Sequence, residues 1–502
     1  MTQEQFLKLT SKGNLIPVYQ EVLADLETPV SAYFKIASKA EYSFLLESVE
    51  GEEKVSRFSF LARDPELVFE SKNNSVKILS FGKKRTNIES RKLTFGQTPL
   101  TEIREIMKKY RFVSVPELPR FCGGLVGYLS YDIVRFFEKL PLKTKDDLKL
   151  PETLLMLAKN MIIFDHRKHT LTIVNCAYIP SGSSSGFKVK LYKKALEEIQ
   201  RLLLEIQAPL KSHKNKARRK SVESLKLRVQ SNVTKAEFEQ SVRDAKKQIL
   251  AGEIIQVVLS QRFGVDLKVP PFNVYRALRL LNPSPYMYYL HFGDIQIIGS
   301  SPELLVRCEN GIVETRPIAG TRRRGRDEKE DLELAKELLA DPKEKAEHIM
   351  LVDLGRNDLG RVCEQGTVKI SEFMQVEKYS HVMHIVSNVQ GELKHGQDSL
   401  DVLQAAFPAG TVSGAPKIRA MEIIEDLEKV RRGPYAGCIG YFSFSGNLDT
   451  CITIRTIVVH GKKAFIQAGA GIVADSKPEK EYQETMNKAK AQLKAIELAY
   501  QN

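Results

Sequence analysis

Two pairs of glutamates lie far apart in the chain but share one spacing. Glu344 and Glu347 are three residues apart, Glu481 and Glu484 repeat that spacing near the C-terminus, and Lys488 follows one turn later. Residues three or four apart share a face of a helix. Two such faces could close on one hard divalent cation, because Mg²⁺ prefers oxygen ligands and leaves room for an anionic substrate. The ordinary alternative is two solvated helix faces with i,i+4 ion pairs such as Glu484–Lys488.

A proline marks the start of the helix that would carry each pair. Asp341-Pro342 precedes the first pair and Pro478 precedes the second. Proline is favoured at the first helical position, where its missing N–H has no intrahelical partner to lose. We therefore predict a helix over 341–355 and a C-terminal helix that begins at Pro478.

Composition and charge limit the class of protein. The chain has 502 residues, 42% of them hydrophobic, which is enough for one large core or for two or three domains. The net charge of +14 suits anionic partners, either nucleic acid or small carboxylates. Part of this excess is local, in the linker-like run KSHKNKARRK at 211–220. No RNA-binding signature, zinc-finger spacing or basic zipper occurs, so we expect no nucleic-acid partner.

Cysteine spacing and hydropathy indicate the compartment. None of the six cysteines forms a C-x-x-C pair, so neither a zinc site nor a disulfide framework is indicated. The N-terminus, MTQEQFLKLT, lacks the basic and apolar regions of a signal peptide. No stretch approaches the roughly 18 apolar residues of a membrane span. We expect a reduced, cytoplasmic protein without membrane contact.

The order of apolar runs predicts the fold class. Runs of strands are followed by runs of helices, and no repeat of fixed period occurs, which favours an α+β fold over alternating βαβ units. We predict an N-terminal domain over 1–207, a basic linker over 208–230 and a second domain over 231–502.

Local patterns predict individual elements. Residues 15–30 are expected to contain a helix that ends before Thr28, and AYFKIA at 32–37 is expected to begin a series of antiparallel strands. Thr234-x-x-Glu237 is a capping box, so a helix is expected to start there and to run to about Ala251.

Seven strings in the second half resemble the chorismate-utilising enzymes, and within that family they are most similar to the component I anthranilate synthases. LLES at 45–48 and RFSF at 57–60 also resemble those enzymes. The resemblance implies large antiparallel sheets flanked by helices, with N- and C-terminal segments that can interleave. The seven strings are RPIAGTRRRG (316–325), KEKAEHIMLVDLGRNDLGRV (343–362), YSHVMHIVSNVQGEL (379–393), AGTVSGAPKIRAMEII (409–424), RRGPYAGCIGYFS (431–443), LDTCITIRT (448–456) and QAGAGIVADSKPEKEYQET (467–485).

The resemblance implies a metal site and a substrate site. Glu347 and Glu484 would bind Mg²⁺ directly, and Glu344 and Glu481 would act through water. Chorismate is a dianion, and the metal would hold its ring carboxylate. Arg455 would bind the enolpyruvyl carboxylate through its planar fork of donors, although alone it would fit a strand arginine in a surface ion pair. The other implied substrate contacts are Thr321, Thr411, Tyr435, Gly469, Gly471 and Lys488.

Two residues match the acid and the base of the family. Glu303, in SSPE, matches the general acid that protonates the leaving 4-hydroxyl, which requires surroundings that raise its pKa. His384 matches the residue implicated in the second step, where the C2 proton is lost as pyruvate departs and the ring becomes aromatic. Without the resemblance, a structural role would be the commoner one for either residue.

Gln256 and Ala319 distinguish the chain from relatives within the family. Isochorismate and salicylate synthases, which add water, use a Lys base where this chain has Gln256, and an uncharged amide activates water poorly. Aminodeoxychorismate synthases use a Lys nucleophile where this chain has Ala319, and alanine cannot be a nucleophile. Both positions favour ammonia as the nucleophile and anthranilate as the product.

A partner subunit and an inhibitor are also implied. No G-x-C-x-G string surrounds a cysteine, so a glutamine amidotransferase that supplies ammonia would be a separate subunit of a heterodimer or heterotetramer. The resemblance further implies a feedback site for L-tryptophan, with plain packing of a strand and a turn as the alternative. The residues of that site would be Glu47, Ser48, Pro285, Tyr286, Met287, Ile439 and Tyr441.

The leading hypothesis is a Mg²⁺-dependent lyase that converts chorismate and ammonia to anthranilate and pyruvate, the first step of tryptophan biosynthesis. One alternative is an aminodeoxychorismate synthase component I with unusual site residues. The other is an inactive homologue that binds tryptophan. Loss of turnover with intact folding in Glu484→Gln would separate an enzyme from the inactive homologue.

Overall fold

The computed structural model describes residues 1–49, 57–82, 85–210, 227–379 and 382–501. In these ranges the helices are α1 Gln3–Leu9, α2 Pro29–Ile36, α3 Pro99–Lys108, α4 Ser185–Gln207, α5 Lys235–Leu250, α6 Pro271–Leu281, α7 Glu328–Ala340, α8 Pro342–Gly360, α9 Ser399–Ala406, α10 Gly410–Ser413, α11 Lys417–Leu427 and α12 Pro478–Ala499, with a 3₁₀ helix at Tyr131–Phe136. None of them combines the length and the apolar character that a membrane crossing requires.

The strands are β1 Leu15–Leu23, β2 Tyr42–Glu47, β3 Phe58–Arg63, β4 Leu67–Lys72, β5 Ser75–Phe81, β6 Thr86–Lys92, β7 Gly124–Leu129, β8 Thr153–Ala158, β9 Asn160–Asp165, β10 Thr170–Tyr178, β11 Gln230–Ser231, β12 Gln256–Asp266, β13 Tyr286–Phe292, β14 Ile295–Ser301, β15 Leu304–Glu309, β16 Ile312–Thr315, β17 Ile318–Arg323, β18 Lys369–Lys378, β19 Val382–Glu392, β20 Gly414–Ala415, β21 Cys438–Ser443, β22 Leu448–Ile452, β23 Thr456–His460 and β24 Lys463–Ile472.

Two large antiparallel sheets form the centre of the molecule. The first sheet has the order β1-β10-β9-β3-β2-β13-β14-β23-β24-β12-β11, with β20 paired to β12. The second has the order β17-β19-β16-β15-β22-β21-β7-β8-β4-β5-β6, with β18 paired to β19. Helices flank both sheets, so the predicted α+β class and the antiparallel sheets are confirmed.

Each sheet combines strands from both halves of the sequence. In the first sheet β2 pairs with β13, and in the second β7 pairs with β21. Two ladders therefore join segments on either side of the basic run at 208–230, most of which (211–226) lies outside the described residues. The division into domains over 1–207 and 231–502 stays a prediction.

Apolar side chains fill two layers, one on each face of the first sheet. In β2, Phe44 belongs to the core between the two sheets, and its neighbour Leu45 belongs to the core under the helices. Successive side chains of a strand point to opposite faces, so β2 is buried on both. The helical layer over the first sheet includes α2, α4, α6 and α12.

The predictions of a helix within residues 15–30 and of a strand at 32–37 were wrong. Leu15–Leu23 is strand β1, paired along its whole length with β10 at the edge of the first sheet. An edge position tolerates a proline such as Pro17, since no partner requires its missing N–H. Thr28 then caps α2 in a capping box, so the apolar run after it packs as a helix face.

The two helices that carry the glutamate pairs begin at the prolines from which they were predicted. The side chain of Asp341 caps α8 by accepting hydrogen bonds from the backbone N–H groups of Lys343 (3.0 Å) and Glu344 (3.3 Å). Helix α8 packs on β17 and β19 of the second sheet, and α12 packs on β24 of the first. The two pairs are thus anchored to different sheets.

Replacing Gly127 of β7 tests whether this strand lies too close to β8 to accommodate a side chain. A Cβ added there would lie 2.0 Å from the backbone oxygen of Leu154 in β8. Because the strand backbone must move to relieve this clash, we expect Gly127→Ala to lower the free energy of unfolding by about 3 kcal/mol. Urea denaturation followed by circular dichroism measures this. Gly186→Ala is the control, since no atom lies within 4 Å of the added Cβ; equal midpoints for the two variants would contradict the expectation.

Candidate active site

One cavity of about 590 Å³ lies where β12 and β24 of the first sheet meet α8, α12, β17 and β19. All of the residues predicted as catalytic, substrate-binding or metal-binding line it, although they come from distant parts of the sequence. They are Gln256, Glu303, Thr321, Glu344, Glu347, His384, Thr411, Tyr435, Arg455, Gly469, Gly471, Glu481, Glu484 and Lys488.

Two glycines of β24 form the floor of the cavity. A Cβ on Gly469 would lie 2.5 Å from the hydroxyl oxygen of Tyr435, and one on Gly471 would lie 2.6 Å from Nε2 of Gln256. Any larger residue would push these two side chains away from the strand. The absence of side chains therefore lets Tyr435 and Gln256 lie against the sheet and brings backbone to the surface of the cavity.

The four predicted metal-binding carboxylates are close enough to affect one another. Burial raises the pKa of Glu347, and the negative charges of Glu344 and Glu484 add to that effect. Burial also raises the pKa of Glu481, again with a contribution from the charge of Glu484. The charge of Glu484 on α12 thus affects the pKa of Glu347 on α8. The two helices therefore bring their carboxylates close together.

Cations of the chain lie beside two of these carboxylates. Nζ of Lys488 is 2.7 Å from Oε1 of Glu484, and Nη1 of Arg322 is 3.8 Å from Oε1 of Glu344. Within the described ranges no three His, Cys, Asp or Glu side chains stand together as a ligand set. The donors nevertheless fit a hard divalent cation in their chemistry, since all are carboxylate oxygens and their mutual repulsion favours a bound positive charge.

Glu303 lies two residues beyond the end of β14, and a backbone hydrogen bond fixes its position. The N–H of Ile452 donates to the carbonyl oxygen of Glu303 at 3.0 Å. The carboxyl group faces the cavity, and burial raises its pKa to about 7, partly offset by the Thr411 hydroxyl and the charge of Lys488. A carboxyl group with this pKa retains its proton in a large fraction of molecules near pH 7, as a general acid requires.

His384 of β19 is held in one tautomer. Its Nδ1 lies 2.8 Å from the carbonyl oxygen of Gly320 and 3.1 Å from Oγ1 of Thr321. A carbonyl oxygen can only accept, so Nδ1 carries the proton and Nε2 keeps a free lone pair. Burial lowers the pKa of the ring, and the positive charge of Arg455 lowers it further. The imidazole is therefore neutral near pH 7 and able to accept a proton.

Arg455 lies in a short break between two strands of different sheets. β22 ends at Ile452 and β23 begins at Thr456, with Arg455 between them at a φ of 52°. Left-handed backbone is uncommon for a residue with a side chain. Burial lowers the pKa of its guanidinium, partly offset by the negative charge of Glu484, and among the described residues no carboxylate lies within ion-pair distance. Arg455 is thus available to an anionic ligand.

A second cavity, of about 60 Å³, lies between the two sheets. It is lined by every residue predicted for a tryptophan site, namely Glu47, Ser48, Pro285, Tyr286, Met287, Ile439 and Tyr441. Glu47 accepts hydrogen bonds from Arg279 (3.1 and 3.2 Å) and from the hydroxyl of Tyr275.

Sequence reasoning missed two charged residues of this second cavity. Arg120 and Asp449 also line it and form an ion pair of 3.1 Å. Asp449 additionally accepts from the hydroxyl of Tyr286 at 3.0 Å and pairs with Arg307 at 3.2 Å. Asp449 lies in the string LDTCITIRT, but the residues that it contacts are distant in the sequence, so no local pattern could identify it.

The two cavities share strands. Tyr286, in the second cavity, pairs with Ser301 at the end of β14, two residues before Glu303. Cys451 also lines the second cavity, and the next residue, Ile452, donates the hydrogen bond to Glu303. A displacement of β14 or β22 at the second cavity would therefore move the backbone of Glu303.

Comparison with known proteins places this geometry in a family. Residues 57–494 match the family model for chorismate binding enzymes. The chain is 51% identical over 495 residues to anthranilate synthase component 1 of Acetivibrio thermocellus, with 98% of each chain covered. It is 48% identical over 506 residues to the same component of Aquifex aeolicus, covering 99% of this chain and 98% of the relative.

Solved structures show the same fold. The crystal structure of anthranilate synthase component I from Streptococcus pneumoniae TIGR4 superposes with a TM-score of 0.75 at 36% identity, covering 94% of this chain and 98% of the other. The menaquinone-specific isochorismate synthase of Escherichia coli superposes with a TM-score of 0.68 at 22% identity, covering 98% of each chain. At that identity the second likeness concerns the fold alone.

Glu347→Gln tests the crowding of the carboxylates through stability. A pKa that is raised in the folded state means that stability is lost as the pH rises and the group ionises. In metal-free buffer at pH 8, we expect the variant to unfold a few degrees above the wild type. The difference should shrink towards about pH 4, below the ordinary pKa of glutamate. Differential scanning calorimetry measures both.

The same variant tests the affinity for a divalent cation. Added MgCl₂ should raise the unfolding temperature of the wild type more than that of Glu347→Gln, because a ligand that binds only the folded state stabilises it. Glu333→Gln, at an exposed position on α7, is the control and should behave as the wild type. Equal responses of the wild type and Glu347→Gln to pH and to MgCl₂ would refute the proposed crowding.

Proposed function

The chain belongs to the family of chorismate-binding enzymes, and we propose that it acts as the large subunit of a Mg²⁺-dependent anthranilate synthase. It converts chorismate and ammonia to anthranilate and pyruvate, the first step of tryptophan biosynthesis. The observation that carries the proposal is one cavity lined by a carboxyl group with a pKa of about 7, a neutral imidazole, two glutamate pairs and a guanidinium that has no ion pair within the described part of the chain.

Charge complementarity explains the binding of chorismate. The unpaired guanidinium of Arg455 binds the enolpyruvyl carboxylate through two parallel N–H donors. Glu344, Glu347, Glu481 and Glu484 would hold Mg²⁺, which supplies positive charge for the ring carboxylate when it is bound. The backbone at Gly469 and Gly471 is open to the ring because neither residue carries a Cβ.

The first step is amination with loss of the 4-hydroxyl. Ammonia uses its lone pair to form a bond to C2, the ring double bonds shift, and the C4–O bond breaks. Glu303 donates its proton to the departing oxygen, which leaves as water, and the ammonium group formed at C2 then loses a proton that restores the acid form of Glu303. Gln256, on the wall of the cavity, has no charge with which to deprotonate water, so ammonia, whose lone pair is free without prior deprotonation, is favoured.

The second step restores aromaticity. Nε2 of His384 takes the proton from C2, the electrons of that C–H bond complete the aromatic ring, and the bond to the enolpyruvyl oxygen breaks. The enolpyruvate takes up a proton and leaves as pyruvate. The hydrogen bond from Nδ1 of His384 to Gly320 keeps Nε2 as the basic atom throughout.

Ammonia is proposed to come from a separate glutamine amidotransferase. Such an enzyme needs an accessible thiolate of lowered pKa. All six cysteines are buried, and burial raises the pKa of Cys363 to about 11 and that of Cys438 to about 12. These thiols are unsuited to attack on glutamine, which supports a heteromeric complex.

The second cavity is proposed as a site of feedback inhibition by L-tryptophan. Its walls offer Glu47 and Asp449 for an ammonium group, Arg120 for a carboxylate, and apolar surface for an indole. A volume of about 60 Å³ holds only a few water molecules, so the ligand must separate the two sheets. That separation moves β14 and β22, and with them the backbone of Glu303.

The pH dependence of turnover tests the role of Glu303. With chorismate, MgCl₂ and a constant concentration of free ammonia, kcat/KM for anthranilate formation should fall as the pH rises above about 7, because the acid loses its proton. Glu303→Gln should lower kcat by about 10²–10⁴-fold while the protein stays folded. Anthranilate fluorescence provides the assay.

Glu479→Gln, at an exposed position of α12, is the matched control and should retain the wild-type profile. Accumulation of aminodeoxychorismate or salicylate in place of anthranilate would refute the proposed reaction. Turnover by Glu303→Gln at the wild-type rate would refute the assigned acid.

Ser48→Leu tests the inhibitor site. The added carbon atoms occupy the small second cavity, so we expect tryptophan to inhibit the variant at least about tenfold more weakly, which corresponds to a loss of about 1.4 kcal/mol of binding. Turnover without tryptophan should stay within a factor of two of the wild type. Titration of anthranilate formation with tryptophan measures both, with Ser181→Leu in an exposed loop as the control. Unchanged inhibition of Ser48→Leu would place the effector elsewhere.

A further inference from the structure

Strand β12, which forms one wall of the active-site cavity, has a gap along its outer edge. In the described structure its first two residues pair with β20, and Phe263 and Gly264 pair with β11. Between these two short ladders no strand lies beside Val258 and Ser260. The carbonyl oxygen of Val258 and the N–H of Ser260 are nevertheless hydrogen-bonded, because two side chains occupy the gap.

Those side chains belong to Glu428 and Arg432, which follow α11. Arg432 donates from Nη2 to the carbonyl oxygen of Val258 at 2.6 Å. Oε1 of Glu428 accepts from both the backbone N–H and the hydroxyl of Ser260 at 2.9 Å. The two side chains form an ion pair of 2.6 Å with only 1% and 6% of their surfaces exposed. A buried ion pair thus takes the place of a neighbouring strand.

The same pair contacts two more parts of the cavity wall directly and a third through Ser260. Arg432 donates from Nη1 to the carbonyl oxygen of Val412 at 2.7 Å, next to Thr411. Its guanidinium carbon lies 5.6 Å from the centre of the Tyr435 ring. Gln467 donates to the hydroxyl oxygen of Ser260 at 2.8 Å, so β24 is connected to the pair as well.

Three residues that the pair contacts directly line the cavity, and so does Gln467, which is linked to the pair through Ser260. Ser260, Glu428 and Arg432 are not among the lining residues. The wall residues are Val258, Val412, Tyr435 and Gln467. Replacing a buried ion pair by apolar side chains of similar volume is often neutral or stabilising. Stability alone therefore gives little reason for charges here. The Arg432 guanidinium, however, makes four hydrogen bonds from three coplanar nitrogens, two to Glu428 and one each to the carbonyl groups of Val258 and Val412. An ammonium has only three donors, all on one nitrogen, and an apolar side chain has none.

We propose that Glu428 and Arg432 are a positioning pair, which sets the relative placement of β12, the turn at Thr411–Val412 and the Tyr435 ring around the substrate. Neither residue touches the reacting atoms. Small displacements of these groups lower turnover steeply, because catalysis depends on the alignment of reacting atoms. The activity measurements for this inference rest on the proposed function; a second measurement below does not.

Two variants distinguish a role in positioning the cavity wall from a role in stabilising the fold. Arg432→Lys keeps the positive charge but lacks the planar guanidinium group, so we expect kcat/KM for chorismate to fall about 10–100-fold. The double variant Glu428→Leu/Arg432→Met removes both charges, so we expect its unfolding temperature to approach that of the wild type while kcat/KM stays low. Arg201→Lys, which changes an arginine in an exposed i,i+4 pair with Glu205, is the control and should not alter either quantity.

Hydrogen exchange at the backbone amide of Ser260 gives a measurement that needs no catalysis. The double variant has no acceptor for this N–H, so its exchange should be faster than in the wild type. Wild-type kcat/KM in Arg432→Lys, recovery of both stability and kcat/KM in the double variant, or unchanged exchange at Ser260 would each overturn the inference. If the double variant fails to fold, the Arg432→Lys measurement decides. If the wild-type protein forms no anthranilate, the proposed function fails and the exchange measurement alone decides the inference.

Discussion

The mutual repulsion of four carboxylates in one cavity is the constraint on which the rest of the site depends. Glu344 and Glu347 come from α8, and Glu481 and Glu484 come from α12, and the pKa of Glu347 responds to the charge of Glu484 across the gap. Like charges this close together repel one another, so the fold must hold the two helices in place against that repulsion. Anchoring α8 on the second sheet and α12 on the first provides that hold. Any separation of the two sheets therefore changes the distance between the pairs.

This arrangement makes the junction of the sheets the natural place for control. The second cavity lies at the same junction, between β2 and β13 on one side and β21 and β22 on the other. Its lining residues continue directly into Glu303, through β14 and through the hydrogen bond from Ile452. A ligand that enlarged the second cavity would therefore displace the backbone of Glu303, the proposed general acid. Coupling by this route needs no separate signalling element, because the same strands line both sites.

Chemical motifs were predictable from the sequence to a greater extent than the fold. The helix starts at Pro342 and Pro478 follow from local patterns. The residues predicted for the two cavities follow from strings that resemble a known family. Leu15–Leu23 was mistaken for a helix because its strand pairing with β10 involves residues far away in the sequence. Asp449 and Arg432 escaped notice for the same reason. Each acts through contacts that exist only after distant segments fold together.

Burial shifts the pKa values of Glu303 and His384, the proposed acid and base, in opposite directions for one physical reason. Removing water from around an ionisable group disfavours its charged form. For Glu303 this raises the pKa, so the carboxyl group holds a proton that it can donate. For His384 it lowers the pKa, so the ring lacks the proton that it must accept. The charge of Arg455 strengthens the second effect. One partly dehydrated cavity therefore favours a protonated Glu303 and a neutral His384, the two forms that the proposed reaction requires. Those forms coexist only in a limited pH range, since raising the pH deprotonates the acid and lowering it protonates the base.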